Sequence, residues 1–146
     1  MTDVVAHRIA LKLNALEGTA PAWNLTVDEA RTGYARVRMP LRADMLNGHR
    51  MAHGGMIFAI ADTAFAYACN SHNERTVAQQ ASIVFLAPAR DGDVLIAEAR
   101  EDARAGRSGV YSVEIRTEDG RAIARFQGLS RTIGGQIIDL QETDHD

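Results

Sequence analysis

The chain has 146 residues, 46% of them hydrophobic and 24% charged, with a net charge of -3. That length suits one globular domain with a sizeable core. The slightly acidic balance and an aromatic share of only 5% exclude general attraction to nucleic acid or an anionic membrane and exclude a base-stacking surface, leaving small molecules or copies of itself as the expected partners.

Thr2 or Asp3 is placed to cap a first helix, residues 1–18, in which Val5, Ile9, Leu13 and Leu16 recur at helical spacing before Gly18 and Pro21 stop it. The start of the chain lacks a basic segment followed by an apolar core. The one long apolar run is too short and too interrupted to cross a bilayer, so a cytoplasmic protein is the expectation. From Trp23 the pattern becomes extended: Asn24 to Glu29 and Tyr34 to Met39 flank Arg31-Thr32-Gly33 and predict a β-hairpin.

Residues 41–55 have no period and carry Asp44, Asn47, Gly48, His49, Arg50 and His53, a polar loop of the kind that often holds function. The glycine pair Gly54-Gly55 follows, then fourteen residues from Met56 to Cys69 that are apolar on every face except for Asp62. An unpaired carboxylate in such a helix costs several kcal/mol, so Asp62 is expected to be paired or used. Four further extended runs, about 76–86, 94–104, 108–117 and 121–133, are separated by Pro88 to Asp93, Ala105 to Arg107 and Asp119-Gly120. Tyr111, Val113 and Ile115 alternate with Ser112, Glu114 and Arg116, as in a strand with one wet face. The apolar helix is the natural cover for the dry face. The expected fold class is therefore α+β, a curved, mainly antiparallel sheet wrapped around one long buried helix in a single domain over residues 1–146. The acidic segment 136–146 is expected to fray.

Gly54 and Gly55 open the helix, so their N–H groups are among the donors that a helix start leaves free, suited to an oxyanion on a carbonyl; the plainer role is a tight entry into the helix. Asp62 follows Gly54 by eight residues, roughly 12 Å of rise on a helix. The two cannot reach one carbon atom from the same subunit. If they serve one reaction, two helices must pack antiparallel about a two-fold axis, which makes a homodimer part of the mechanism. Asn47 can orient a carbonyl or a water, and His53 can position the loop or act as an acid.

Other groups carry weaker signals. His49 and His53 lack a Glu to complete a zincin-type motif, so no metal is expected. Cys69 with His72 is a poor case for a nucleophile and base, a buried thiol being the simpler account. Gly106-Arg107-Ser108-Gly109 is suggestive only as a phosphate contact, since it is neither a P-loop nor a dinucleotide fingerprint.

The strings Met45-Leu46-Asn47-Gly48-His49, His53-Gly54-Gly55, Ala61 to Ser71, Gly109-Val110-Tyr111 and Ile133-Gly134-Gly135 resemble, from about Trp23 to Gly135, the hotdog-fold acyl-CoA thioesterases of the phenylacetate-degradation (PaaI) type. The resemblance implies a hotdog fold, dimers that pair into homotetramers, and hydrolysis of aryl-acyl-CoA thioesters such as phenylacetyl-CoA and its ring-hydroxylated derivatives. By position, Asp62 matches the catalytic carboxylate, Gly54 the backbone donor, and Asn47 and His53 the supporting polar residues. Some relatives that act on aromatic CoA esters carry a Thr one turn after the acid, where this chain has Ala66. Asp62 is thus open to either role, general base toward water or nucleophile toward the carbonyl.

A thiolate leaves without a strong general acid, so a carboxylate and an oxyanion donor are enough and no cofactor is expected beyond the coenzyme A of the substrate. Gly55, Phe58 and Phe65, with Ala59 and Ala66, are candidates to line a slot for a flat ring, and Arg90, Arg107 and Ser108 to meet the CoA phosphates. The rival readings are a hotdog hydratase or dehydratase using His53 and Asp62, and a non-catalytic acyl-CoA-binding module.

Overall fold

The computed structural model describes residues 2–141. Helix α1 spans Asp3–Leu16, with the Thr2 hydroxyl accepting from the Val5 N–H at 3.3 Å. A four-residue helical turn, α2 (Thr19–Ala22), follows before Asn24, in the left-handed region (φ 50°), turns the chain into the sheet. That turn displaces the first strand from the expected start. Strand β1 covers Thr26–Arg31 and β2 covers Tyr34–Pro40, joined through Gly33 at φ 73°.

A 3₁₀ turn at Ala43–Met45 and a bridge between Leu46 and Ala52 organise the polar loop. Helix α3 then runs Gly54–Cys69. The remaining strands are β3 (Thr76–Phe85), β4 (Val94–Ala105), β5 (Ser108–Thr117) and β6 (Ala122–Thr132). All neighbours pair antiparallel in the order β1-β2-β4-β5-β6-β3, so β1 and β3 are the edges.

Helix α3 touches all six strands, which is the wrapped sheet expected from its all-round apolarity. Ile60, Ala61, Ala64, Phe65, Tyr67 and Ala68 are at most 1% exposed, and Val113 and Ile115 meet them from the sheet. On the opposite face Ser112, Glu114 and Arg116 are only half-buried, and Arg116 pairs with Glu98. The alternation read in the sequence is thus the inside and outside of one sheet.

Within the segment expected to fray from residue 136, Ile137 and Ile138 are bonded to the rest of the fold. Asn73 Oδ1 accepts from the N–H groups of Ile137 and Ile138, Asn73 Nδ2 donates to the Ile138 carbonyl, and Lys12 Nζ donates to the Ile137 carbonyl at 2.8 Å. Burial of Ile138 completes the anchor. The acidic residues Glu142, Asp144 and Asp146 of that expectation lie outside the described residues. Among the described residues no helix is long and apolar enough to cross a membrane.

Candidate active site

The entry to α3 is fixed before the helix begins. Ala52 donates its N–H to the Ala89 carbonyl at 2.7 Å and His53 donates its own to the Met45 carbonyl at 2.9 Å. His53 is the helix N-cap, and its ring Nδ1 accepts from the Gly55 N–H at 2.9 Å. The Met56 and Ile57 N–H groups both donate to the His53 carbonyl. Of the donors at the start of α3, only the Gly54 N–H has no acceptor among the described residues. His53 therefore acts as an organiser: it takes up the Gly55 donor and leaves the Gly54 donor free.

Gly54 lines a groove of about 350 Å³ with Asn47, Met51, Ala52, Ile57 and the segment Phe85 to Pro88. Asn47 Oδ1 accepts from the His49 and Met51 N–H groups at 2.9 and 3.2 Å, which holds the loop and leaves its amide nitrogen without a partner among the described residues. The Phe85 ring stands over Gly54, where an added Cβ would lie 3.2 Å from Cζ. A side chain at this position would press on the Phe85 ring, which is half exposed and would have to shift by a few tenths of an ångström. Phe85 has no signal in the sequence, because only the return of β3 past the helix start brings it there.

Asp62 is half-buried on the one open stripe of α3, with Gly55, Phe58, Ala59 and Ala66. Its carboxylate makes no hydrogen bond or ion pair among the described residues, and burial pushes its pKa up. It does not line the Gly54 groove of its own chain. Phe58 sits one turn before it, 37% exposed and edge-on to Phe126 at 5.5 Å.

Phe65, a candidate for the ring slot, is instead 1% exposed and packs on Tyr111, Phe126 and Gly128. Arg107 and Ser108 lie at the β4–β5 turn, beside the Thr76–Thr132 end of the sheet, whereas Gly54 lies beside Phe85 at the other end. Within one chain the structure does not bring these groups together. Arg90 is exposed two residues beyond the groove wall at Pro88.

Two weaker candidates have structural roles. Burial pushes the Cys69 thiol up to about 12, and His72 Nε2 is paired with Glu101 Oε1 at 2.8 Å. Among the described residues no group of three or more His, Cys, Asp or Glu side chains gathers as metal ligands would.

The thioesterase superfamily profile matches residues 49–124, the loop, α3 and strands β3 to β5. The chain belongs to the thioesterase superfamily. This thioesterase is 42% identical over 121 residues to the acyl-coenzyme A thioesterase PaaI of Escherichia coli strain K12, covering 83% of the chain and 86% of the relative. It superposes on the structure of the E. coli PaaI protein from the phenylacetic acid degradation operon with a TM-score of 0.91, at 38% identity and with 93% and 99% of the two chains covered. A mutant of the phenylacetic acid degradation protein PaaI from Thermus thermophilus gives 0.77 at 33% identity, covering 80% of this chain and all of that one. The wrapped sheet of this thioester hydrolase is thus a hotdog fold, as the sequence led one to expect.

Proposed function

We propose that this thioesterase hydrolyses aryl-acyl-CoA thioesters of the phenylacetyl-CoA and hydroxyphenylacetyl-CoA type at a site shared between two subunits. The observation that carries the reading is the pairing of complementary leftovers on one helix: a free N–H at Gly54 and an unpartnered, half-buried carboxylate at Asp62. Each suits one half of the same reaction, and about 12 Å of helix rise keeps them from meeting within one chain. An antiparallel copy of α3 across a two-fold axis brings Asp62 of one protomer to Gly54 of its partner.

The edge strand β3 supports this assembly. Its outer edge pairs with no other strand among the described residues and it is followed by exposed Leu86, while Val77, Val84 and Phe85 are between 46% and 59% exposed. Exposed apolar side chains along an unpaired edge favour pairing with a second copy.

In the reaction the thioester carbonyl oxygen accepts from the Gly54 N–H, which stabilises the oxyanion of the tetrahedral intermediate. Asp62 either draws a proton from the attacking water, so that collapse breaks the C–S bond and gives the CoA thiolate and the carboxylic acid, or forms the new C–O bond itself, so that collapse gives the thiolate and a mixed anhydride that water then hydrolyses to the acid and free Asp62. In a single turnover in ¹⁸O-water, label recovered in the Asp62 carboxylate identifies attack by Asp62, with water opening the anhydride at the aspartyl carbonyl.

The same two-fold carries the Arg107–Ser108 end of one protomer to the groove of its partner. There Arg107 stands with Arg75 and Arg131, and none of the three forms an ion pair among the described residues. Unpaired arginines suit the CoA phosphates. The name of the E. coli relative supports the acyl-CoA class, and the phenylacetic acid context of its structure supports the aryl group.

The test is release of free thiol from phenylacetyl-CoA and its hydroxylated forms, with a chelator present because the reading needs no metal. Asp62→Ala is expected to lower kcat/KM at least about a hundredfold, as for a lost acid-base group. Wild-type turnover in that variant, or no thiol released by the wild type, overturns the reading.

A further inference from the structure

A two-fold axis that sets Asp62 against the partner's Gly54 sets Gly54 against the partner's Asp62 as well, so the axis crosses α3 at the residue midway between them. That residue is Phe58. It lies about 6 Å of helix rise from each reacting group and between the two in angle around the helix. The other residues of the open stripe are Gly55, Ala59, Asp62 and Ala66, so Phe58 is the bulky side chain there, 37% exposed in the single chain.

The ring is held in place. It stands edge-on to Phe126 at 5.5 Å, Phe126 packs on Phe65 at 5.7 Å, and Phe65 is fixed against Tyr111 and Gly128 in the core. Phe65, Phe126 and Tyr111 are all buried, so the free part of the Phe58 ring faces outward, where a second copy removes it from water.

Two directions lead away from a thioester carbonyl held between Gly54 and the partner's Asp62. One is the groove past Asn47 and the segment Phe85 to Pro88, which opens to solvent beside exposed Phe85 and Leu86. The other runs inward along the stripe to the axis. The phosphates of coenzyme A need water or cations, so its pantetheine arm takes the groove and the acyl group takes the apolar inner path.

We propose that Phe58 is a specificity-determining residue: it meets the partner's Phe58 on the two-fold axis, and the pair closes the inner end of both acyl slots. The inference rests on the reading of a site shared by two subunits. Each slot is then about one helical turn deep. A phenyl ring one carbon from the carbonyl ends against the aromatic pair, whereas an extended decanoyl chain runs into it.

The experiment reads two quantities on Phe58→Cys, with Phe58→Ala as a second variant. Helices in contact run about 8–10 Å apart with Cα atoms at a radius of about 2.3 Å, so at the wider spacing facing Cα atoms lie about 5 Å apart, within disulfide reach. Cys69 is the one native cysteine and is buried. Mild oxidation of Phe58→Cys is therefore expected to give a covalent dimer on a non-reducing gel, and the wild type none. In reduced Phe58→Cys and in Phe58→Ala, the ratio of kcat/KM on decanoyl-CoA to that on phenylacetyl-CoA is expected to rise at least about tenfold, as for removal of a wall that excludes extra methylenes. Taken on one preparation, the ratio is independent of the fraction that folds. A cross-link with a smaller rise overturns the inference and leaves the shared site standing. Absence of the cross-link overturns both, because the same register places Asp62 against the partner's Gly54. A wild type that cleaves decanoyl-CoA as readily as phenylacetyl-CoA also overturns the inference.

Discussion

An unpaired carboxylate on a buried helix destabilises the protein that carries it, and Asp62 is such a group. Because burial raises its pKa in the folded state, the folded protein holds this proton more tightly than the unfolded chain. The contribution of Asp62 to stability therefore falls as pH rises from the unfolded value through the folded one, and the cost is fully present above the folded pKa. Asp62→Asn is expected to raise Tm at neutral pH, with the gain shrinking to nothing in acid; thermal melts across pH check this, and a lower Tm at neutral pH would contradict it. The converse case is Gly54, where the proposed mechanism assigns the chemistry to the N–H rather than to a side chain. Proline removes that N–H and is tolerated at the first position of a helix, and His53 before it is already extended at ψ 134°. Gly54→Pro is expected to keep the fold by circular dichroism and to lose about 10²- to 10³-fold in kcat, the usual effect of removing an oxyanion donor. Asp62 and Gly54 were legible in the sequence because each breaks the pattern around it. Phe85 was not, since only the return of β3 past the start of α3 brings its ring over Gly54 and no spacing encodes that.

At the scale of elements, the length and all-round apolarity of α3 and the alternation in β5 were readable because burial on all faces and burial on one face leave different periods. The turn α2 was not, as four residues carry no period, and neither were the register shifts in β1, β3 and β4 near Asp28, Gln79 and Asp102. Phe65 illustrates the limit of reading a helix alone. Its proximity to Asp62 in sequence suggested a ring slot, but the sheet closes over it, and Gly128 of β6 exists to let it in: an added Cβ would stand 2.8 Å from the ring. Gly128→Ala is expected to destabilise the protein by about 1–3 kcal/mol through overpacking, read as a lower midpoint in urea. An unchanged midpoint would show that the ring has room to move.

At the scale of the whole molecule, a sheet wrapped around a helix follows from the pattern of the chain, but the strand order does not, and with it goes the identity of the free edge. That edge, the open stripe of α3 and the separation of Gly54 from Asp62 are the observations behind the proposal of two protomers with two shared sites. Complementation tests this directly. Gly54→Pro and Asp62→Ala are each nearly inactive alone, yet a mixed dimer holds one site with both groups intact. After the two variants are unfolded together and refolded, random pairing is expected to restore about a quarter of wild-type activity. Activity no higher than that of the separate variants, in a mixture shown to contain mixed dimers, would contradict a site shared across the two-fold axis.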